Sequence, residues 1–188
     1  IKNIHAWDYD TVSDVNLANQ AFAERHIGMP KVEAVAELVR EHTGGTITTH
    51  QEKVDGTQKL GDIVLMLPDS MEARESIFKK AIRLKPWVKL LIETRMGTFE
   101  SRLYAINPRK PAQIRGYEGT LYDDAFAQAS TCGTAISVGA TAGVLACMAT
   151  MNLVRWFRLQ EDPNLEDELE HELIIFHTPF ATMSRQFN

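Results

Sequence analysis

The chain has 188 residues, of which 44% are hydrophobic and 24% charged, a composition that excludes global disorder. At ~100–200 residues per domain this length fits one domain, residues 1–188. Two cysteines, with no CxxC pair, exclude a disulfide framework and a four-cysteine zinc site. The net charge of −5 gives no electrostatic reason to expect nucleic acid or an anionic membrane as a partner.

The opening IKNIHAWDYD has neither the basic start nor the apolar run of a signal peptide, so a cytoplasmic protein is expected. Ala125 to Val154 is free of charge and long enough to cross a bilayer. It is rich in Ala, Gly, Ser and Thr, however, and Gly133 and Gly139 would interrupt a single long helix. A buried core helix or helix pair is expected, with no membrane span.

Ile4 to Asp8 reads as a short strand with a polar end, and Asn16 to Arg25 as weakly helical. Gly28-Met29-Pro30 breaks the chain, and Pro30 suits the first turn of a new helix. Val32, Val35, Leu38 and Val39 recur at helical spacing and predict a helix over Lys31 to His42, ended by Gly44-Gly45. Thr46 to Val54 is β-branched and reads as a strand. The apolar run from Asp62 to Leu67 reads as a strand buried on both faces. Pro68-Asp69-Ser70 should cap a helix over Met71 to Leu84. Val88 to Glu93 and Phe99 to Ile106 read as strands, Asn107 to Tyr122 as a long loop, and Asp123 to Phe157 as mostly helical. Glu161 to Glu172 is strongly acidic and reads as a solvated linker, followed by a strand over Leu173 to Phe176. Strands alternate with helices through residue 93, which predicts a largely parallel sheet there.

In such a sheet ligands bind at the carboxyl ends of the strands. Asp8 and Asp10 sit at one such end, where an acid can take ribose hydroxyls. Lys31 lies in the first turn of a helix, where the dipole disfavours a cation unless an anion such as phosphate shares the site. Asp69 follows another strand and could hold a magnesium ion or cap the helix. Cys132, in a loop near a helix start, reads either as a thiol with a lowered pKa or as a small buried hydrophobe, whereas Cys147 reads as core. His26 reads as a surface histidine. Arg95 and the basic residues Arg109, Lys110 and Arg115 could steer an acidic protein tail.

Four segments resemble one family. Asp8-Tyr-Asp-Thr-Val-Ser-Asp-Val-Asn16-Leu-Ala-Asn19-Gln20 resembles the D-[FY]-D-x-V-x-x-x-N-L-x-R-Q segment of the ThiF/MoeB/HesA adenylyltransferases, relatives of the ubiquitin-activating enzymes. Ile27-Gly-Met-Pro-Lys31-Val-Glu-Ala34 resembles [VI]-G-x-P-K-[VA]-x-[AS]. Asp62-Ile-Val-Leu-Met-Leu-Pro-Asp69-Ser-Met-Glu-Ala-Arg74 resembles D-x-[VI]-x-D-x-x-D-[NS]-x-x-x-R, and the stretch from Cys132 to Gly143 resembles C-x-T-A-x-x-x-G. The segments follow the family's order from residue 8 to about residue 150.

The resemblance implies a doubly wound, mostly parallel Rossmann-like α/β sheet with helices on both faces and some antiparallel strands in the C-terminal half. It implies ATP and magnesium, and adenylation of the C-terminal carboxylate of a ubiquitin-like or sulfur-carrier protein by a homodimer. By the same resemblance Asp8 holds the ribose, Asn16 and Asn19 face the phosphates, Lys31 the α-phosphate and Asp69 the metal, and Cys132 takes the activated group in some members.

The chain departs from the family at three points. The GxGGxGS phosphate loop is absent, so the first βα unit is expected upstream of Ile1. Asn19 stands where the family has Arg, with Arg25 nearby, and Met66 where it usually has Asp. These departures keep a second reading open, a degenerate member that binds a partner protein without turning over ATP. A nicotinamide oxidoreductase would need a G-x-G-x-x-G fingerprint, and none is present.

Overall fold

A computed structural model describes residues 3–18, 20–97, 100–123, 136–162, 164, 169–177 and 179–188. The chain divides into two compact units, Ile1–Val54 and Asp55–Asn188.

The first unit is a βαβ element. Strand β1 (His5–Trp7) pairs in parallel with β2 (Thr48–His50), and helix α1 (Lys31–Thr43) lies between them in sequence. Val32, Ala34 and Ala36 are its buried residues, while Val35, Leu38 and Val39 are half-buried. Gly44 ends α1 in the left-handed conformation at φ 68°, which glycine adopts without a Cβ penalty. The weakly helical region before α1 consists of two single turns, Asp14–Asn16 and Glu24–His26.

The second unit is a five-stranded sheet in the order β3-β4-β5-β6-β7: β3 (Ile63–Met66), β4 (Leu90–Met96), β5 (Glu100–Ile106), β6 (Glu172–His177) and β7 (Phe180–Arg185). β3 and β4 are parallel and the remaining pairs antiparallel, so the pairs formed before residue 93 are all parallel, as the alternation of elements predicts. β3 is an edge strand. Val64 and Met66 are buried but Leu65 is 50% exposed, which corrects the expectation of burial on both faces.

Helix α2 (Met71–Ile77) continues into one wide turn, Phe78–Ile82, closed by Arg83 N–H donating to the Phe78 carbonyl. Residues 107–122 are not all loop, because Pro111 starts helix α3 (Pro111–Glu118) and pre-sets its first turn. Helix α4 (Ile136–Glu161) runs through Gly139 and Gly143 without interruption. Strand β7 was not anticipated at all.

Side chains alternate across the strands, so the sheet has two distinct faces. Leu90, Ile92, Leu103, Ala105 and Ile175 form a core against Leu145 and Ala149 of α4. On the opposite face Tyr104 meets Tyr117 of α3 edge-on, and Tyr117 meets Phe78. Among the described residues of α4, Leu145, Ala149 and Asn152 are the buried ones. Val144, Met151, Val154 and Cys147 are exposed in the single chain, which corrects the expectation that Cys147 lies in the core. No described helix is long and apolar enough to cross a membrane.

Candidate functional site

In the first unit the chain leaves β1 at Asp8 and turns immediately. The Asp8 carboxylate accepts from the Asp10 N–H at 2.9 Å, closing the turn on itself. Asp10 then meets Lys31 twice. Its backbone carbonyl accepts from the Lys31 N–H at 2.9 Å, and its carboxylate accepts from Lys31 Nζ at 2.8 Å. Asp8, Asp10 and Lys31 therefore form one hydrogen-bonded group at the carboxyl end of β1.

The loop before α1 is fixed by backbone pairing. Val12 N–H donates to the Met29 carbonyl and Gly28 N–H to the Val12 carbonyl, both at 2.8 Å. Gly28 sits at φ 85°, a conformation that needs glycine. His26 is fully buried beneath this loop, not at the surface. Its Nδ1 accepts from the Ala23 N–H at 2.9 Å, its carbonyl accepts from the Met29 N–H, and the Phe22 ring packs against it edge-on. No side chain caps α1; its first N–H, that of Lys31, is taken by the Asp10 carbonyl.

Asn16 caps its own turn, its Oδ1 accepting from the Ser13 N–H at 2.9 Å and the Ser13 hydroxyl at 3.1 Å. Asn19 lies outside the described residues. Arg25 donates to Glu37 at 3.1 Å and Glu41 at 2.7 Å on α1. The Arg25 hydrogen bond, with a smaller contribution from His26, holds the Glu37 carboxyl below its ordinary value.

A further feature was missed from sequence. Trp7 and His50 stack with ring centroids 4.5 Å apart, and His5 Nδ1 lies 3.0 Å from His50 Nε2. The residues are 45 apart in the chain, and only the parallel β1–β2 pairing joins them.

In the second unit Asp69 is exposed in the turn between β3 and α2. The cap of α2 belongs to Ser70, whose hydroxyl oxygen accepts from the Ala73 N–H at 3.2 Å. Beside this turn lies a buried ionic cluster. The Arg74 guanidinium donates to the Pro68 carbonyl, to the Thr94 carbonyl at 3.0 Å and to Glu93 Oε1. Glu93 also accepts from Arg95 Nε at 3.0 and 3.1 Å. Arg95 is anchored in turn by the Thr120 carbonyl at 2.7 Å and stacks on Tyr104 at 4.3 Å. Burial works against the Arg95 charge, but the Glu93 carboxylate keeps its pKa above the ordinary value. Burial, reinforced by Glu93, pushes the Tyr117 hydroxyl well above its ordinary range.

Arg95 is thus committed to Glu93, which corrects its reading as a guide for an acidic tail. Arg109, Lys110 and Arg115 remain exposed. Cys132 lies outside the described residues. No cluster of three or more His, Cys, Asp or Glu side chains able to hold a metal exists among the described residues.

A family model described as "ThiF family" matches residues 1–186. The chain matches none of the curated proteins. Among solved structures it is similar to selenomethionine PaaA, with 14% identity and a TM-score of 0.65, over 97% of this chain and 63% of that one. It is similar also to E. coli MccB solved with ATP, with 13% identity and a TM-score of 0.65, over 99% of this chain and 56% of that one. At these identities the likeness is one of fold, and it agrees with the expected Rossmann-like α/β architecture. The chain spans less than two-thirds of the length of both.

Proposed function

We propose that this chain, which belongs to the ThiF family, acts in ATP-dependent adenylation of a C-terminal carboxylate on a ubiquitin-like or sulfur-carrier protein. In this reading residues 1–188 form one adenylation domain working in the cytoplasm. The observation that carries it is the Asp8–Asp10–Lys31 group, which places a cation in the first turn of α1 beside two strand-end carboxylates.

The carrier carboxylate attacks the α-phosphorus, and the bond to the pyrophosphate oxygen breaks. Negative charge grows on the α-phosphate, where Lys31 stabilises it after exchanging Asp10 for the phosphate. Asp8 holds the ribose, and Asn16 and Asn19 face the phosphates. Little covalent work falls to the protein, so positioning and charge carry the step.

Asp69 fits magnesium as a hard, exposed carboxylate oxygen, since magnesium binds through one or two carboxylates, waters and substrate phosphates without an all-protein cage. Bound there, the ion would neutralise triphosphate charge. The Cys132 thiolate then attacks the acyl carbon, forming a thioester and releasing AMP. The exposed apolar side of α4, with Val144, Met151 and Val154, supports assembly as a homodimer.

The test is ATP–pyrophosphate exchange by the full-length protein with candidate carriers. Carrier-dependent exchange is expected, falling about 10²- to 10³-fold in Lys31→Ala. Cys132→Ala should abolish transfer and leave exchange intact. Absence of exchange from folded protein would favour the partner-binding reading, which the buried Met66 in place of the family's Asp supports.

A further inference from the structure

Glu93 is fully buried, lies on no motif, and has no part in the chemistry described above. It sits beside the end of β3, because the β3–β4 register pairs Met66 with Glu93. The β3 chain continues from Met66 through Leu67 and Pro68 to Asp69. Arg74 links the two places. One guanidinium donates both to Glu93 and to the Pro68 carbonyl, which belongs to the peptide unit that begins Asp69. Arg95 holds Glu93 from the other side and is itself tied to Thr120.

We infer that Glu93 is a positioning residue for Asp69, acting through Arg74 to fix the peptide from which the Asp69 carboxylate projects. This rests on the reading of Asp69 as the magnesium ligand. The charge count gives the reason for a carboxylate at residue 93. Two buried guanidinium groups, Arg74 and Arg95, surround one buried carboxylate. With that carboxylate neutralised the two cations repel, and Arg74 has less reason to remain where it can reach Pro68. A lysine in place of Arg74 would be a single point charge, without the fork that reaches Glu93, Thr94 and Pro68 together.

The experiment measures Mn²⁺ binding by electron paramagnetic resonance in the presence of ATP, on the full-length protein. Glu93→Gln should weaken Mn²⁺ binding about 10- to 100-fold, the range for residues that hold a metal ligand in place. The same substitution in an Asp69→Ala background should change nothing further. Without nucleotide or metal, Glu93→Gln should also speed amide exchange at Ala73 and Arg74, whose N–H groups are held by Ser70.

Equal Mn²⁺ affinity in wild type and Glu93→Gln overturns the inference, as does an equal further loss in the Asp69→Ala background. Wild-type protein that binds no Mn²⁺·ATP would remove the magnesium reading itself. Should Glu93→Gln lose its far-ultraviolet circular dichroism, Arg74→Lys is measured in its place under the same criteria.

Discussion

The two units each carry an acid–base cluster at the carboxyl end of a parallel strand, and the clusters differ in kind. In residues 1–54 the Lys31 side chain is 16% exposed and its partner Asp10 46%. In residues 55–188 Glu93 is fully buried and its two arginines nearly so. An open pair is worth little to stability and can exchange its carboxylate for another anion. A buried cluster is expensive to desolvate, and removing one member strands the others. The first has the character of a binding device and the second that of a structural joint.

The sharpest way to break this contrast is Glu93→Ala. It leaves two buried guanidinium groups without their carboxylate and should cost about 3–5 kcal/mol, read from urea unfolding. A loss below ~1 kcal/mol would mean that the cluster is open to water and that the contrast is false. Next comes Arg95→Lys, which keeps the charge but loses the fork that meets Glu93 and Thr120 together. The expected loss is about 1.5–3 kcal/mol, by the same measurement.

Asp10→Asn should change stability by only ~0.2–1 kcal/mol. It also removes the anion that competes for Lys31, so ATP titrated into the variant should bind more tightly than to wild type. Weaker binding would show that Asp10 orients Lys31 in the complex instead of yielding it.

The smallest effect concerns Glu37, whose folded pKa lies below its ordinary 4.5. A depressed carboxyl pKa contributes stability that is complete above 4.5 and is lost as the pH falls through the folded value. The urea midpoint of wild type should therefore exceed that of Glu37→Gln at neutral pH, and the gap should close in acid. A gap that widened on acidification would reverse the assignment.

Where each candidate residue falls in its own unit was legible because the signals are local. Asp8 and Asp10 follow a short strand, Lys31 opens a helix signalled by Pro30, and Asp69 precedes the cap Ser70. Each is a matter of a few neighbouring residues. The Asp10–Lys31 pair was not legible, although both members were named, because it depends on Thr11 to Val12 pairing back onto Met29 and Pro30. His26 was misjudged for the same reason. Nothing near it in sequence marks it as the post under the Gly28 loop, and its burial follows from how that loop folds back.

Hydrophobic periodicity and turn residues determined α1, β3, β4 and β5 and the parallel pairing of the first strands, since each signal is complete within a few turns of chain. The tertiary structure alone decided which side of α4 is covered, that Pro111 begins a helix, and that β7 completes the sheet. It alone brought Trp7 onto His50 and set Arg74 and Arg95 around Glu93. Those contacts depend on strand register, which apolar patterning sets only as a choice of face. Where two polar side chains meet across 19 or 45 residues is fixed by how neighbouring strands pair, and a single sequence does not spell out that pairing.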